Sequence, residues 1–178
     1  MGAQKPQAAA RNPGAPNPPA DAPSTDPAAA VEKAIAAAEI RLREGERQSA
    51  ESFYRTALLE GFLVLGALEA AEGRWMEARA AFERASNSAV ETRRPLQSLA
   101  LVHLQMGDPA QAITLLTPIV GRNPKDVAAR RLLSRALMAN GQTAEAVQEL
   151  EEARAASPHD LELAFALASG YLLSLIHI

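Results

Sequence analysis

One spacing governs what this chain can fold into. Gly73, Gly107 and Gly141 stand 34 residues apart, and Pro124 and Pro158 repeat the same step. Ala78, Ala112 and Ala146 keep that register, as do the bulky residues Phe82, Leu116 and Leu150. Four independent markers advancing together without insertion define an internal repeat rather than an accident of composition. A helix pair of this length cannot bury its apolar side alone, so successive units must stack, each on the next.

Residues three and four apart share a helix face. Leu96, Leu99, Ala100 and His103 therefore form one stripe, and Ala112, Leu116 and Ile119 another. Small residues such as Ala100, Ala112 and Ala146 let paired helices approach closely. The pattern of apolar sites, an Ala-x3-Phe step and a closing proline over 34 residues is that of the tetratricopeptide repeat. The chain resembles that family from about Leu59 to Tyr171. The first unit reads Phe62, Leu65, Gly66, Glu69, Ala78 and Phe82, with Val90 where the proline would stand. The second reads Leu96, Leu99, Ala100, His103, Ala112, Leu116 and Pro124; the third reads Arg130, Leu133, Ser134, Leu137, Ala146, Leu150 and Pro158. A fourth opens with Ala164, Leu167, Ala168 and Tyr171. Glu69 and Arg130 depart from the pattern, because bulky packed residues normally stand there.

The resemblance implies an all-α, right-handed α-solenoid of antiparallel helix hairpins. Full units are expected at 59–92, 93–126 and 127–160, with a partial one at 161–172. A divergent helix pair over 26–58 precedes them, behind a disordered Pro/Ala-rich tail over 1–25. Asp26-Pro27 starts the first helix, which runs to about Arg43 with Val31, Ile35, Ala38 and Leu42 on one side. Gly45 to Gly73 is only 28 residues, six short of the period, which is about the length of a turn. An unbroken helix over about 46–71 is the expectation, with Gly61 and Gly66 at close helix contacts; a kink near Glu60-Gly61 is the alternative. Thr92, Asp108, Asp126 and Thr143 are the expected caps of later helices. Leu173–Ile178 matches one translation frame of a mosaic-end adaptor used in transposase-based libraries, so these six residues read as vector-like read-through with further repeats beyond them.

Composition bounds the function. Hydrophobic residues make up 48% but aromatics only 4%, so alanine and leucine carry the core. A net charge of −3 does not point to nucleic acid. There is no cysteine, which excludes disulfides and thiolate metal sites but leaves the compartment open. The cytoplasm is the default, and the periplasm or outside is the alternative if an upstream signal peptide has been lost. No apolar run approaches the roughly 18 residues that span a bilayer.

Nothing suggests catalysis or a bound cofactor. His103 replaces an aromatic on a packed face, with no second ligand three or four residues away, and reads as a filler. His159 sits in a turn, and Trp75 reads as core rather than as a stacking platform. There is no phosphate-binding glycine loop. The family resemblance instead directs attention to the inner, concave face. The candidate peptide-binding residues there are Arg94, Gln97, Leu101, Leu104, Arg131, Arg135, Met138 and Phe165. Arg131 and Arg135 lie one helical turn apart and suit a carboxylate or an acidic peptide. Leu63 and Ala67 stand where one family variant carries the Lys and Asn that clamp a C-terminal carboxylate, which argues against that role. The expected function is a non-catalytic scaffold for a protein or peptide partner. An adaptor region of a larger enzyme or secretion-related protein, and a self-assembling structural protein, are the alternatives.

Overall fold

The computed structural model describes residues 27–88 and 92–176. The tail reading of 1–25, the Asp26 cap, Val90 and residues 177–178 lie outside the described residues. Among the described residues there are eight helices and no strand: α1 (Pro27–Arg43), α2 (Arg47–Ala71), α3 (Trp75–Ser88), α4 (Arg93–Gln105), α5 (Pro109–Arg122), α6 (Val127–Ala139), α7 (Thr143–Ala156) and α8 (Leu161–Ile176). Each packs on its neighbours in chain order, which makes an α-solenoid of antiparallel hairpins.

The period reappears as backbone geometry. Gly73, Gly107 and Gly141 take φ of +74°, +78° and +81°, a left-handed conformation open to glycine. In each case the following N–H reaches back five residues: Arg74 N to Glu69 O, Asp108 N to His103 O and Gln142 N to Leu137 O, at 2.8–2.9 Å. This closing bond satisfies carbonyls that the helix end would orphan, and turns the chain into the next helix. Gly45 repeats the device at φ +82°. The returning turns use Asp126, whose carboxylate accepts from Ala129 N at 3.0 Å, and Asp160, which accepts from Leu163 N at 3.2 Å. Asp108 caps α5 in the same way. Thr92 and Thr143 do not act as side-chain caps. Thr92 makes no such bond, and α7 is entered through Gln142, one residue earlier than the sequence suggested.

The markers of the period are also the core. Ala78, Ala112 and Ala146 are fully buried, and Phe82, Leu116 and Leu150 are buried beside them. Helix α2 runs unbroken from Arg47 to Ala71, packing on both α1 and α3. Gly66 is a close contact, since a Cβ there would lie 2.5–2.8 Å from the Phe82 ring. Gly61 is not, because a Cβ there would meet nothing within 4 Å. Helix α1 keeps only part of the expected stripe, with Ala38 buried and Val31 half-buried. Ala34 and Ala38 are its buried residues, while Ile35 and Leu42 are exposed. Small buried residues on both packed helices, Ala34 and Ala38 of α1 and Ala50 and Ala57 of α2, permit a closer approach than branched side chains would allow.

The two departures from the repeat pattern are answered by ion pairs. Glu69 is half-buried and held by Arg74, just past the end of α2. Arg130 is buried on α6, where its guanidinium bonds Glu149 and lies 2.5 Å from Glu152 on α7, while its Nε donates to Pro124 O at 2.6 Å. A buried charge is tolerated only when it is satisfied in this way.

Three stability measurements check these contacts by denaturant unfolding. Gly66→Ala should lose about 1–3 kcal/mol despite alanine's better helix propensity, because buried Phe82 must move. Arg130→Ala should lose about 2 kcal/mol by removing charged hydrogen bonds, whereas Arg130→Leu, which restores an apolar packed residue, should stay within about 1 kcal/mol of the parent. Asp126 gives the pH test. Burial raises its carboxyl pKa, but bonds from Ala129 N and Arg93 outweigh this and hold it below the usual carboxylate range. A depressed folded-state pKa stabilises above the unfolded value, and that stability is lost as the pH falls below about 4. Asp126→Asn should therefore cost about 1 kcal/mol near neutrality, a deficit that closes progressively in acid.

Candidate functional site: the concave groove

Helices α4, α6 and α8, with the second half of α2, line one side of the solenoid. The 34-residue step carries equivalent positions from one helix to the next. Leu63, Gln97, Arg131 and Phe165 form one row; Ala67, Leu101, Arg135 and Ser169 form a second. Val64, Ser98, Leu132 and Ala166 make a third, and Glu60, Arg94, Ala128 and Glu162 a fourth. These rows bound two hollows. One, of about 620 Å³, lies across α4, α6 and α8, with Arg131, Arg135, Met138 and Phe165 around it and Leu150 of α7 at its floor. The other, of about 420 Å³, lies between α2 and α4, with Glu60, Leu63, Arg94 and the Phe82 ring. Gln97 and Leu101 line both, so the two hollows adjoin across α4.

Seven of the eight sequence-predicted residues line these hollows: Arg94 the smaller, Arg131, Arg135, Met138 and Phe165 the larger, and Gln97 and Leu101 both. Leu104 does not. It lies half-buried against the central core formed by α4 to α7. Sequence reasoning missed the third row, which adding 34 successively to Val64 would have found. It also missed Glu60, and the pairing of Glu162 with Arg131.

Those acids reset the electrostatics. Arg94 forks onto both carboxylate oxygens of Glu60, one at 3.1 Å, and Arg131 pairs with Glu162. The Arg131–Glu162 pair is exposed, with Glu162 at 78% at its side chain, and such a pair contributes about 0–1 kcal/mol and opens readily; Glu60 is only 15% exposed at its side chain. Arg135 is exposed, and among the described residues no hydrogen bond or ion pair engages it. The Gln97 side-chain nitrogen is buried, also with no hydrogen-bond partner. An unsatisfied buried donor costs about 1–3 kcal/mol, and the Gln97 amide must turn toward the groove before an acceptor there can recover it. The groove thus offers one uncommitted cation, one uncommitted amide donor, and the apolar side chains of Leu101, Leu132, Met138 and Phe165.

The other candidates fall elsewhere. Trp75 is half-buried against the core shared by α2, α3 and α4. His103 is half-buried, its Nδ1 lying 3.6 Å from an Asp108 carboxylate oxygen, too far for a hydrogen bond. His159 is exposed. Among the described residues no cluster of His, Asp or Glu could hold a metal ion, and no helix is long and apolar enough to cross a membrane.

The tetratricopeptide-repeat family model matches residues 103–170. No curated protein sequence matches the chain significantly. Among solved structures, MamA (41-end) from Desulfovibrio magneticus RS-1 is similar over 81% of this chain and 85% of that one, at 17% identity and a TM-score of 0.61. YrrB, described as a TPR protein with an unusual peptide-binding site, is similar over 83% of each chain at 20% identity and a TM-score of 0.57. The second TPR domain of human RPAP3, solved with an HSP70 peptide, is similar over 79% of this chain and 98% of that one, at 13% identity and a TM-score of 0.55. The family resemblance read from the sequence is borne out, and the fold is shared with these proteins.

Proposed function

We propose that this tetratricopeptide-repeat chain is a non-catalytic scaffold that holds a protein or peptide segment in its concave groove. The observation that carries the reading is the uncommitted pair of donors, Arg135 and the Gln97 amide, beside an apolar wall. A hollow of about 620 Å³ falls within the range of about 300–1,000 Å³ found for ligand sites. YrrB and the RPAP3 domain, which share the fold, bind peptides by their own descriptions. The ligand suited to these groups is an extended segment with one apolar side chain set among Leu101, Met138 and Phe165. A nearby carboxylate sits on Arg135, and a backbone carbonyl accepts from Gln97. Glu60 already neutralises Arg94, so the acid preference rests on Arg135, with Arg131 recruited when its exposed partner Glu162 lets go.

A peptide-display selection on the immobilised protein, followed by anisotropy titration of labelled binders, tests this. Arg135→Ala and Phe165→Ala should each weaken binding about ten-fold, or roughly 1.4 kcal/mol. Both side chains are exposed, so folding should be unchanged. Arg94→Ala should change affinity little. Binders indifferent to both Arg135 and Phe165 would place recognition outside the groove.

A further inference from the structure

A third hollow, of about 510 Å³, lies away from the groove, between α1 and α2. Ile35 lines it from α1, and Tyr54, Leu58, Gly61, Phe62 and Leu65 line it from α2. On α2 these residues are separated by four, three, one and three positions, so they form one continuous stripe along the helix. The repeat register shows what such a stripe ordinarily meets. The residues 34, 68 and 102 positions after Gly61 are Pro95, Ala129 and Leu163, and all three are buried. Leu65 is 39% exposed, whereas its equivalents Leu99 and Leu133 are at 5% and 4%. In α4 and α6 the preceding hairpin covers the stripe. In α2 the cover is α1, which approaches on its alanine edge and leaves part of the seat open. Gly61 marks that opening. A mid-helix glycine costs about 1 kcal/mol relative to alanine, and nothing in the described fold uses the missing side chain.

We propose that the chain's own proline segment, residues 13–19, docks in this seat. Pro13, Pro16 and Pro19 recur at every third residue. A polyproline II helix has three residues per turn, so this spacing sets all three rings along one edge. Pro13 to Pro19 spans about 19 Å in that conformation, and Tyr54 to Leu65 about 17 Å along α2. Residues 12–20 carry no charge, and no charged side chain lines the hollow. The reach is sufficient. Helix α1 begins at Pro27, eight residues beyond Pro19, which is about 25 Å of polyproline chain. Since α1 and α2 run antiparallel from the turn at Gly45, the start of α1 lies at the Leu65 end of the stripe. The segment therefore enters there and runs back toward Tyr54. Proline-rich segments are held in aromatic-lined grooves, here by Tyr54 and Phe62. Tethering supplies a local concentration in the millimolar range, so modest contacts suffice. Gly61 then gives the proline edge room to lie close to the α2 backbone.

The chain has no cysteine, so Asn17→Cys carries a single nitroxide label in the full-length ¹⁵N-labelled protein. Amide signals of residues 31–35 and 54–65 should be lost selectively, while those of α6 persist. Replacing Pro13, Pro16 and Pro19 together by Gly should restore them. So should Leu58→Glu, a change at an exposed position that spares the fold. Signal loss spread evenly over the molecule, or unaltered by the proline replacements, would overturn the proposal. So would loss seen only on mixing nitroxide-labelled chains with separate ¹⁵N-labelled ones, which would assign the seat to a second copy.

Discussion

The close approach of paired helices at alanine is the contact on which the rest of this structure depends. Ala78, Ala112 and Ala146 have no exposed surface, and each sits four residues before a buried Phe82, Leu116 or Leu150. The small residue sets how near two helices come, and the large one fills the space that remains. Because the same pair recurs at the same interval, each hairpin meets its neighbour with the same kind of contact. The four rows of the concave face are a consequence. Leu63, Gln97, Arg131 and Phe165 line up only because the core beneath them keeps step.

That dependence explains why departures from the pattern are tolerated where they occur. Arg130 stands where Leu96 stands one unit earlier, and an unpaired guanidinium there would be prohibitive. It survives because α7 carries Glu149 and Glu152 on the face turned toward it and the preceding turn offers the Pro124 carbonyl. The third unit thus exchanges an apolar contact for a polar one. Gly66 makes the reverse exchange in the first unit. It yields helix propensity so that the Phe82 ring can lie against the α2 backbone, where alanine at position 100 faces smaller Leu116.

How much of this was legible in the sequence follows from what each residue type can signal. Glycine and aspartate at chain reversals have few alternative uses, so the turns at Gly73, Gly107 and Gly141 and the caps at Asp108 and Asp126 could be read directly. The missing six residues between Gly45 and Gly73 were enough to indicate the long α2. Alanine carries no such signal. Ala34 is as compatible with solvent as with a core, so the stripe read through Val31, Ile35, Ala38 and Leu42 holds the buried Ala38 but omits Ala34 and includes the exposed Ile35 and Leu42. Threonine misled for a related reason. Thr143 is a good cap in general, but the register set by Gly141 assigns that position to Gln142. In the groove, residue types predicted the lining well. Pairing was hidden, because Glu60 and Arg94 are distant in sequence and adjacent only once the repeat is closed.

In the proposed binding mode, the paired and unpaired arginines divide the work of the groove. Glu60 with Arg94, and Glu162 with Arg131, cancel most of the charge along one rim, so the groove has no strong field of either sign. A partner gains little from charge alone there, since each new carboxylate must displace one already in place. Arg135 is the exception, one turn further along α6 and lining the same hollow as Met138 and Phe165. A carboxylate bound at that point loses water to apolar walls, and its bond to the guanidinium strengthens as the local dielectric falls. Under the proposed function, discrimination then depends on placing an acid and an apolar side chain together, a demand of shape that an acidic segment lacking the apolar residue does not meet.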